Sequence, residues 1–599
     1  GLDAPRIASE LLAMGIAKVA LVHDQKEDID LARFPSGLAV HERGEMDAVQ
    51  KTCSGYDGVS VILYLQTCAA EKRRRRKRGK FPDPDKRVFI NTDICEGCGD
   101  CGVQSNCVAV TPVETELGRK RAIDQSACNK DFSCVKGFCP SFVTLQGAQI
   151  RKSQTAQLDL PQMPEPVLPN IDGTFNVVVT GVGGTGVVTI GAVLAQAAQI
   201  DGKGAGMMEM AGLAQKGGAV LIHCRLANRP EDITAIRVAT GECDALIGGD
   251  LVVSAAAKTL GLTKVGRTGA VVNAHDIVTG EFTRDTEFSI PTDRLSLALQ
   301  ARLQDRVQLL DSTELARITM GDSLYSNMLI FGAAWQRGLL PITLDALRQA
   351  IALNGAAVDK NLRAFEIGRW SALFPDDAAA LIAPSVVKLP QTLNEKIAVR
   401  TKHLQAYQGA QLSRRYVRML ERTADPELKL ALAKGYHKLL AYKDEYEVAR
   451  LHLGTYAKAS ETFEGPFEMT FHLAPPLLSK NGSDGRPQKR SFGPWMLGPL
   501  RVLSALRVLR GTALDPFGYT AERRMERALI AQYEEDMAAI LPVVTPATHE
   551  IAVALANLPL DIRGFGPVKQ ANEIKAGKRR KELLAAFHRS GDDLAQAAE

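Results

Sequence analysis

Residues 95–107 read CEGCGDCGVQSNC and residues 128–140 read CNKDFSCVKGFCP, so seven of the eleven cysteines of this 599-residue chain fall between Cys95 and Cys139. The spacing is Cys95-x2-Cys98-x2-Cys101-x5-Cys107, then Cys128-x5-Cys134-x4-Cys139-Pro140. Strict double x2 spacing, a more distant fourth cysteine and a closing Cys-Pro follow the bacterial iron–sulfur run, in which each triplet's cluster takes its fourth thiolate from the other motif. On that logic Cys95, Cys98, Cys101 and Cys139 hold a first 4Fe-4S cluster. Cys107, Cys128 and Cys134 are left for a second, and Asp131 stands where the middle cysteine of its triplet would be. A carboxylate is a harder, weaker ligand than a thiolate. The second site is therefore an Asp-ligated 4Fe-4S cluster, a 3Fe-4S cluster, or a 4Fe-4S cluster with a labile iron, and the alternative for Asp131 is a plain exposed loop aspartate. A zinc ribbon would use two Cys-x2–4-Cys hooks, which three thiols at double x2 spacing match less well. Clustered thiols in a long enzyme-like chain point to metal rather than disulfides.

Composition is that of a globular protein, with 45% hydrophobic and 24% charged residues. No run approaches the roughly 18 apolar residues that would span a bilayer, so no membrane role and a cytoplasmic setting are expected. The net charge of +5 is unevenly placed: residues 72–78 read KRRRRKR, and Lys80 follows. No aromatic residues interleave this run, which argues against nucleic acid. It either steers an acidic electron carrier or forms an internally paired ridge.

Outward from the cysteines, the chain reads as several domains. Residues 1–80 carry a helix over Ile7–Gly15 and strands over Lys18–His23 and Val59–Leu65, too little for a core of their own. The chain opens at Gly1 without methionine, and a piece of a longer polypeptide is expected. Residues 81–150 hold the cysteines. Residues 151–172 include LDLPQMPEPVLPN (158–170), an extended proline-rich linker. Residues 173–370 show βαβ organisation with a mainly parallel sheet, with strands at Phe175–Thr180, Ala219–Ile222, Ala245–Gly248 and Ala270–Val272. Residues 371–599 are dominated by helical periodicity, with a polar loop at 479–490. Fold class is thus multidomain α/β plus α.

Between the first strand of the 173–370 domain and its helix lies Gly181-Val182-Gly183-Gly184-Thr185-Gly186. Gly181, Gly183, Gly184 and Gly186 match the fingerprint that lets a backbone approach a phosphate at a helix N-terminus. A ribose-binding acid is expected about 20 residues on, and the nearest, Glu209, sits in an apolar stretch. A glycine turn needed only for packing is the competing reading.

The order of these pieces, FINTDICEGCGDCGVQSNC (89–107), QSACNKDFSCVKGFCPSF (125–142), FNVVVTGVGGTGVVT (175–189) and MAGLAQKGGAV (210–220), resembles the C-terminal half of indolepyruvate ferredoxin oxidoreductase in its long bacterial form. That family belongs to the thiamine-diphosphate-dependent 2-oxoacid:ferredoxin oxidoreductases. The resemblance implies oxidative decarboxylation of an arylpyruvate with coenzyme A as co-substrate. Electrons then pass through the clusters to ferredoxin. It implies that residues 1–80 end a thiamine-binding α/β domain, 81–150 form a ferredoxin-like two-cluster insert, and 173–370 form a gamma-type Rossmann-like domain. The mostly helical 371–599 is a family-specific domain. Thiamine enzymes of this kind hold Mg2+ and diphosphate with a Gly-Asp-Gly run, and the chain has none. Thiamine diphosphate and Mg2+ are therefore expected mainly outside this chain, on another portion or subunit of the enzyme, with a homo-oligomer as the assembled form. Two readings from other classes stand beside this one: an NAD(P)-linked iron–sulfur reductase subunit using Gly181–Gly186, and a non-enzymatic iron–sulfur scaffold.

Overall fold

The computed structural model describes residues 2–25, 27, 29–151, 158–183, 186–211, 218–276, 282, 285–383, 390, 392–475 and 486–598. Gly184 and most of the 479–490 loop lie outside the described residues, as do residues 212–217 of the MAGLAQKGGAV stretch. The chain divides into two compact units, residues 1–84 and 85–599.

In the first unit Asp3 caps a helix at Ala4–Ala13 by accepting the Arg6 N–H at 3.2 Å. Three parallel strands follow, β1 (Lys18–His23), β2 (Ala39–Glu42) and β3 (Ser60–Leu65), in the order β2-β1-β3. Their small core gathers Ala20, Val22, Val49 and Cys53. The basic run is the helix Ala69–Lys77, and some of its charges are answered within the unit. Lys72 pairs with Glu27 at 2.6 Å and Arg75 with Glu71 at 2.9 Å, while Lys72 and Arg76 both lie over the Phe81 ring.

The second unit opens with the cysteine region. Its strands are β4 (Lys86–Ile90), β5 (Val110–Val113), β6 (Lys120–Ile123), β7 (Phe142–Gln146) and β8 (Gln149–Ile150). β5 and β6 form an antiparallel pair, and β4 runs antiparallel to β7.

The proline-rich stretch that follows has no regular structure, yet it is held down. Leu158, Met163 and Leu168 pack against the next domain's core, Gln336 Nε2 donates to the Pro164 carbonyl at 2.8 Å, and Arg363 caps the Leu158 carbonyl. Its four prolines lack N–H groups and keep it out of regular structure, and side-chain donors satisfy the carbonyls of Leu158 and Pro164.

The domain it straps is a six-stranded sheet made of β9 (Thr174–Val182), β10 (Gly204–Ala211), β11 (Ala219–Ala227), β12 (Ala245–Gly248), β13 (Gly269–Asn273) and β14 (Val307–Leu310). The order is β10-β11-β9-β12-β13-β14. β9, β12, β13 and β14 are parallel, while β11 is antiparallel to both its neighbours. The parallel half is as the sequence pattern suggested; β10 and β14 were not read from it. Side chains alternate across the sheet: Val177 and Val179 enter one core with Ile190, Ile222 and Ile247, whereas Val178 enters the other with Leu246 and Val272. On the first face the helices Ser326–Gln336 and Val358–Leu373 touch backbone to backbone. Gly332 and Gly368 permit it, because a Cβ on either would overlap the Phe365 or Leu329 carbonyl.

The last third is helical around buried tyrosines, with Tyr436 stacked between Tyr416 and Tyr533 at 6.2 and 5.8 Å. It also contains β15 (Phe463–Glu464), β16 (Glu468–Leu473) and β17 (Arg490–Phe492). These do not form a sheet of their own. β15 pairs with β8, and β16 inserts beside β7 to complete the order β17-β16-β7-β4. The cysteine region and the C-terminal region therefore share one sheet and one core, in which Val143 and Leu145 meet Phe463 and Met469. A boundary drawn at residue 371 by change of periodicity does not separate them.

Candidate metal centre

β4 and β7 deliver the two cysteine motifs to one place. After Ile90 the chain turns at Asn91, whose side chain donates to Thr455 Oγ1 at 2.8 Å and whose carbonyl accepts the Cys95 N–H at 3.0 Å. Gly97 and Gly99 have φ of 69° and 78°, the left-handed region that glycine enters without strain. The helix Asp100–Ser105 then presents Cys101. From the other motif, Gly137 lies directly on the Cys101 backbone, where a Cβ would stand 2.8 Å from its Cα. The Phe138 N–H donates to Asp100 at 2.6 Å, and Asp100 in turn pairs with Arg486 at 3.1 Å. That clamp brings Cys139 against the first motif.

The thiols sort themselves by mutual electrostatics. Burial pushes the Cys98 thiol well up, and the charges of Cys139, Cys95 and Cys101 add to it. Cys101 is raised by burial and then by Cys95 and Cys139. Cys139 is pushed up to about 11 by burial and by Cys95. In the second group burial raises Cys134 to about 12, with Cys128, Cys107 and Asp131 contributing, and burial, Cys107 and Asp131 raise Cys128. The neighbourhoods are thus Cys95, Cys98, Cys101 and Cys139 on one side and Cys107, Cys128, Cys134 and Asp131 on the other. Cys101 also feels Cys134, so the two groups adjoin.

Asp131 is exposed and already employed: its oxygens accept the Ser133 N–H at 3.0 Å and the Ser133 hydroxyl at 2.9 Å. It is flanked by Lys130 and Phe132 at φ of 53° and 66°. Two non-glycine residues in the left-handed region store strain, which the Lys130 N–H to Cys128 Sγ bond and the Asp131–Ser133 bonds offset in the tight loop between Cys128 and Cys134.

Hydrogen bonds and charge complete the setting. The Gly97 N–H donates to Cys95 Sγ and the Lys130 N–H to Cys128 Sγ, each at 3.4 Å, and Ser141 Oγ lies 2.9 Å from Cys139 Sγ. Around the first group stand cations that burial disfavours. Lys120 is pulled down to about 7 by burial and by Lys443, and burial pulls Lys489 down to about 8 while the charges of Cys139 and Cys101 hold it up. Arg121 is fully buried over the Phe282 ring at 4.6 Å, and its Nη1 has no hydrogen-bond partner. Unpaired buried cations are costly. Thiolates bound to iron would answer them with negative charge, and metal binding deprotonates thiols that burial otherwise keeps protonated. The donor set therefore fits clusters.

Among the described residues no three His, Cys, Asp or Glu side chains converge as ligands of a metal ion. One zinc would draw its thiolates to about 2.3 Å from a single point. A four-iron cluster carries them on four separate corners.

The glycine turn belongs to a different site. Gly181 lies within β9, which ends at Val182, the Gly183 N–H donates to Gly218 O at 2.7 Å, and Gly186, at φ 81°, opens the helix Val187–Ile200. Asn327 donates to the Gly186 carbonyl at 3.2 Å and fills the space a Cβ would take. Packing alone thus demands a glycine at 186. Glu209 lies exposed on β10, with β11 between it and β9, so it does not flank the turn; the acid that does is Asp250, at the end of the adjacent β12, which accepts a hydrogen bond from the Val182 N–H. Sequence reasoning missed the polar groups at the carboxyl ends of the parallel strands, where α/β sheets bind ligands. Asp250 follows β12 and is raised by burial, Asn273 ends β13 and donates to Gly249 O at 3.1 Å, and His275 lies 3.1 Å from Asp311. Their only sequence signal is a polar residue directly after an apolar strand.

Comparison with known proteins places these observations. Residues 176–370 match the family described as pyruvate ferredoxin/flavodoxin oxidoreductase, and residues 393–582 match a family of unknown function, DUF6537. The chain is 27% identical over 198 residues to indolepyruvate oxidoreductase subunit IorB of Archaeoglobus fulgidus, covering 32% of this chain and 93% of that one. The IorB subunit of Pyrococcus horikoshii is 26% identical, with 32% and 94% covered. A solved gamma subunit of a keto/oxoacid ferredoxin oxidoreductase from Geobacter sulfurreducens aligns at 20% identity and a TM-score of 0.23, over 33% of this chain and 99% of that one. Residues 176–370, a third of the chain, are thus similar to 2-oxoacid:ferredoxin oxidoreductase subunits.

Proposed function

We propose that this chain, similar over residues 176–370 to 2-oxoacid:ferredoxin oxidoreductase subunits, is the electron-transfer and docking portion of an indolepyruvate-type enzyme. In that enzyme a 2-oxoacid and coenzyme A give an acyl-CoA and carbon dioxide, and the electrons leave for ferredoxin. The observation that carries this reading is that the Gly137–Cys139 segment lies directly on the Cys101 backbone, so the two cysteine motifs meet in one place, with the buried cations Lys120 and Arg121 beside them. Two bound iron–sulfur clusters would supply single-electron transfer. The chain's own residues do the rest. Cys95, Cys98, Cys101 and Cys139 would hold the first cluster, and Cys107, Cys128 and Cys134 would hold the second, with Asp131 as the candidate fourth ligand. The Gly97 and Lys130 N–H groups donate to sulfur, and the buried Lys120, Arg121 and Lys489 favour the more negative, reduced state of the first cluster, which raises its potential.

Thiamine diphosphate and Mg2+ bind on another portion or subunit, and the relatives named as subunits support that division. Indolepyruvate-dependent dye reduction is accordingly expected only when the thiamine-binding portion and thiamine diphosphate are added to this chain. Rapid reduction of the chain alone by NADH would support the nicotinamide-linked reading instead.

A further inference from the structure

The helix Leu497–Ala505, within the region of unknown function, turns Leu500 and Leu503 inward onto a cavity of about 370 Å3. The Phe138-Cys139-Pro140 segment of the cysteine region, Phe517 and Phe565 also line it. Volume and lining suit a small molecule: a few hundred Å3, an apolar and aromatic majority, and six charged residues, Lys443, Asp444, Glu445, Lys489, Glu522 and Arg523. It has room for one compact ring system and not for a dinucleotide.

The charges at its edge are committed to one another, with one exception. Asp444 is bound by Arg510 at 2.5 Å, Glu445 by Arg523 at 3.2 Å, and Lys443 pairs with Glu96 at 2.8 Å. Lys489 has no carboxylate in ion-pair reach among the described residues. It donates to the Cys139 carbonyl at 3.1 Å and sits over the Phe142 ring at 5.1 Å, which leaves further N–H donors for an acceptor in the cavity.

We propose that this cavity binds a flat aromatic carbonyl compound of the quinone class, with its ring between the phenylalanines and an oxygen accepting from Lys489. A ring seated there touches the peptide of Cys139, so the redox-active class rests on the reading of Cys139 as a cluster ligand. The cavity itself does not depend on that reading, because protein atoms alone build it. Neither family match describes such a site.

The test is equilibrium dialysis of menadione against the full chain purified without oxygen, with iron measured on the same sample and indole-3-acetate run in parallel. The expected result is one menadione per chain. Binding should weaken about tenfold or more in Lys489→Met, which removes a charged donor, and be lost in Ala474→Trp, which fills the cavity from its wall. Melting temperature shows whether each variant is folded, and Lys489→Met decides if Ala474→Trp is not. Absence of saturable binding, equal binding by both folded variants, or tighter binding of indole-3-acetate than of menadione would overturn the proposal. Protein without iron that still binds menadione upholds the cavity and sinks the cluster reading; iron-loaded protein that does not bind sinks the cavity assignment alone.

Discussion

Asp131 is the residue on which the second site turns. Its carboxylate is close enough to raise the thiols of Cys128 and Cys134, yet it also closes a short turn onto Ser133. If it occupies a cluster corner, Asp131→Cys supplies a softer ligand. The paramagnetic signal and potential of the second cluster should then shift while the first cluster's stay fixed; identical spectra would remove Asp131 from the ligand set. His472 offers a second test at this scale. It bridges Thr144 on β7 at 3.1 Å and Ser491 on β17 at 3.3 Å, and burial lowers it to about 4. A histidine held neutral in the folded state binds a proton more readily when unfolded, so its contribution is present above about pH 6.5 and is lost as pH falls toward 4. Acidification through that window should lower the melting temperature, with His472 responsible for on the order of 1–3 kcal/mol. His472→Gln should show a shallower pH slope. Of these two residues, spacing flagged Asp131 because it interrupts a cysteine register. Nothing local marks His472, since its partners lie 19 and 328 positions away.

Among the elements, helix packing and strand pairing set the tolerances. Gly368 lets the helix Val358–Leu373 lie against Leu329 of its neighbour, so Gly368→Ala forces the backbones apart. A loss of about 1–3 kcal/mol or more in denaturant unfolding is expected, against no loss for alanine at Gly498, an exposed helical glycine with open space for a Cβ and no positive φ. The cysteine module has a comparable dependence. Residues 81–150 looked like a self-contained insert, because local spacing shows ligands and turns but not pairing across 300 residues. In the structure β7 needs β16, and Val143 and Leu145 are covered by Phe463 and Met469. A fragment of residues 81–150 should therefore fail to hold iron as the full chain does, and an excised fragment with full iron content would contradict the shared core. The parallel strands β9, β12 and β13 were legible as apolar runs with turn signals. β10 was not, because an edge strand rich in Met and Gly carries little β-pattern.

Across the whole molecule, the basic run, the cysteines and the glycine turn carry different weight than their sequence prominence suggested. In the run at Lys72–Arg78, Lys72 and Arg75 are paired within the first unit and Arg76 lies over Phe81, while Arg78 and Lys80 stay exposed, so the internal-ridge and the electron-carrier readings both stand. The glycine turn at Gly186 is explained by Asn327 packing. What remains as chemistry is the cysteine region, which the C-terminal third completes from a distance. The central claim is that this region holds two clusters with unlike ligand sets. It is tested most directly by iron analysis with Mössbauer spectroscopy on the full chain purified without oxygen. About seven to eight irons per chain, in two spectroscopically distinct clusters, is the predicted result; four irons in a single cluster type, or zinc in place of iron, would contradict it.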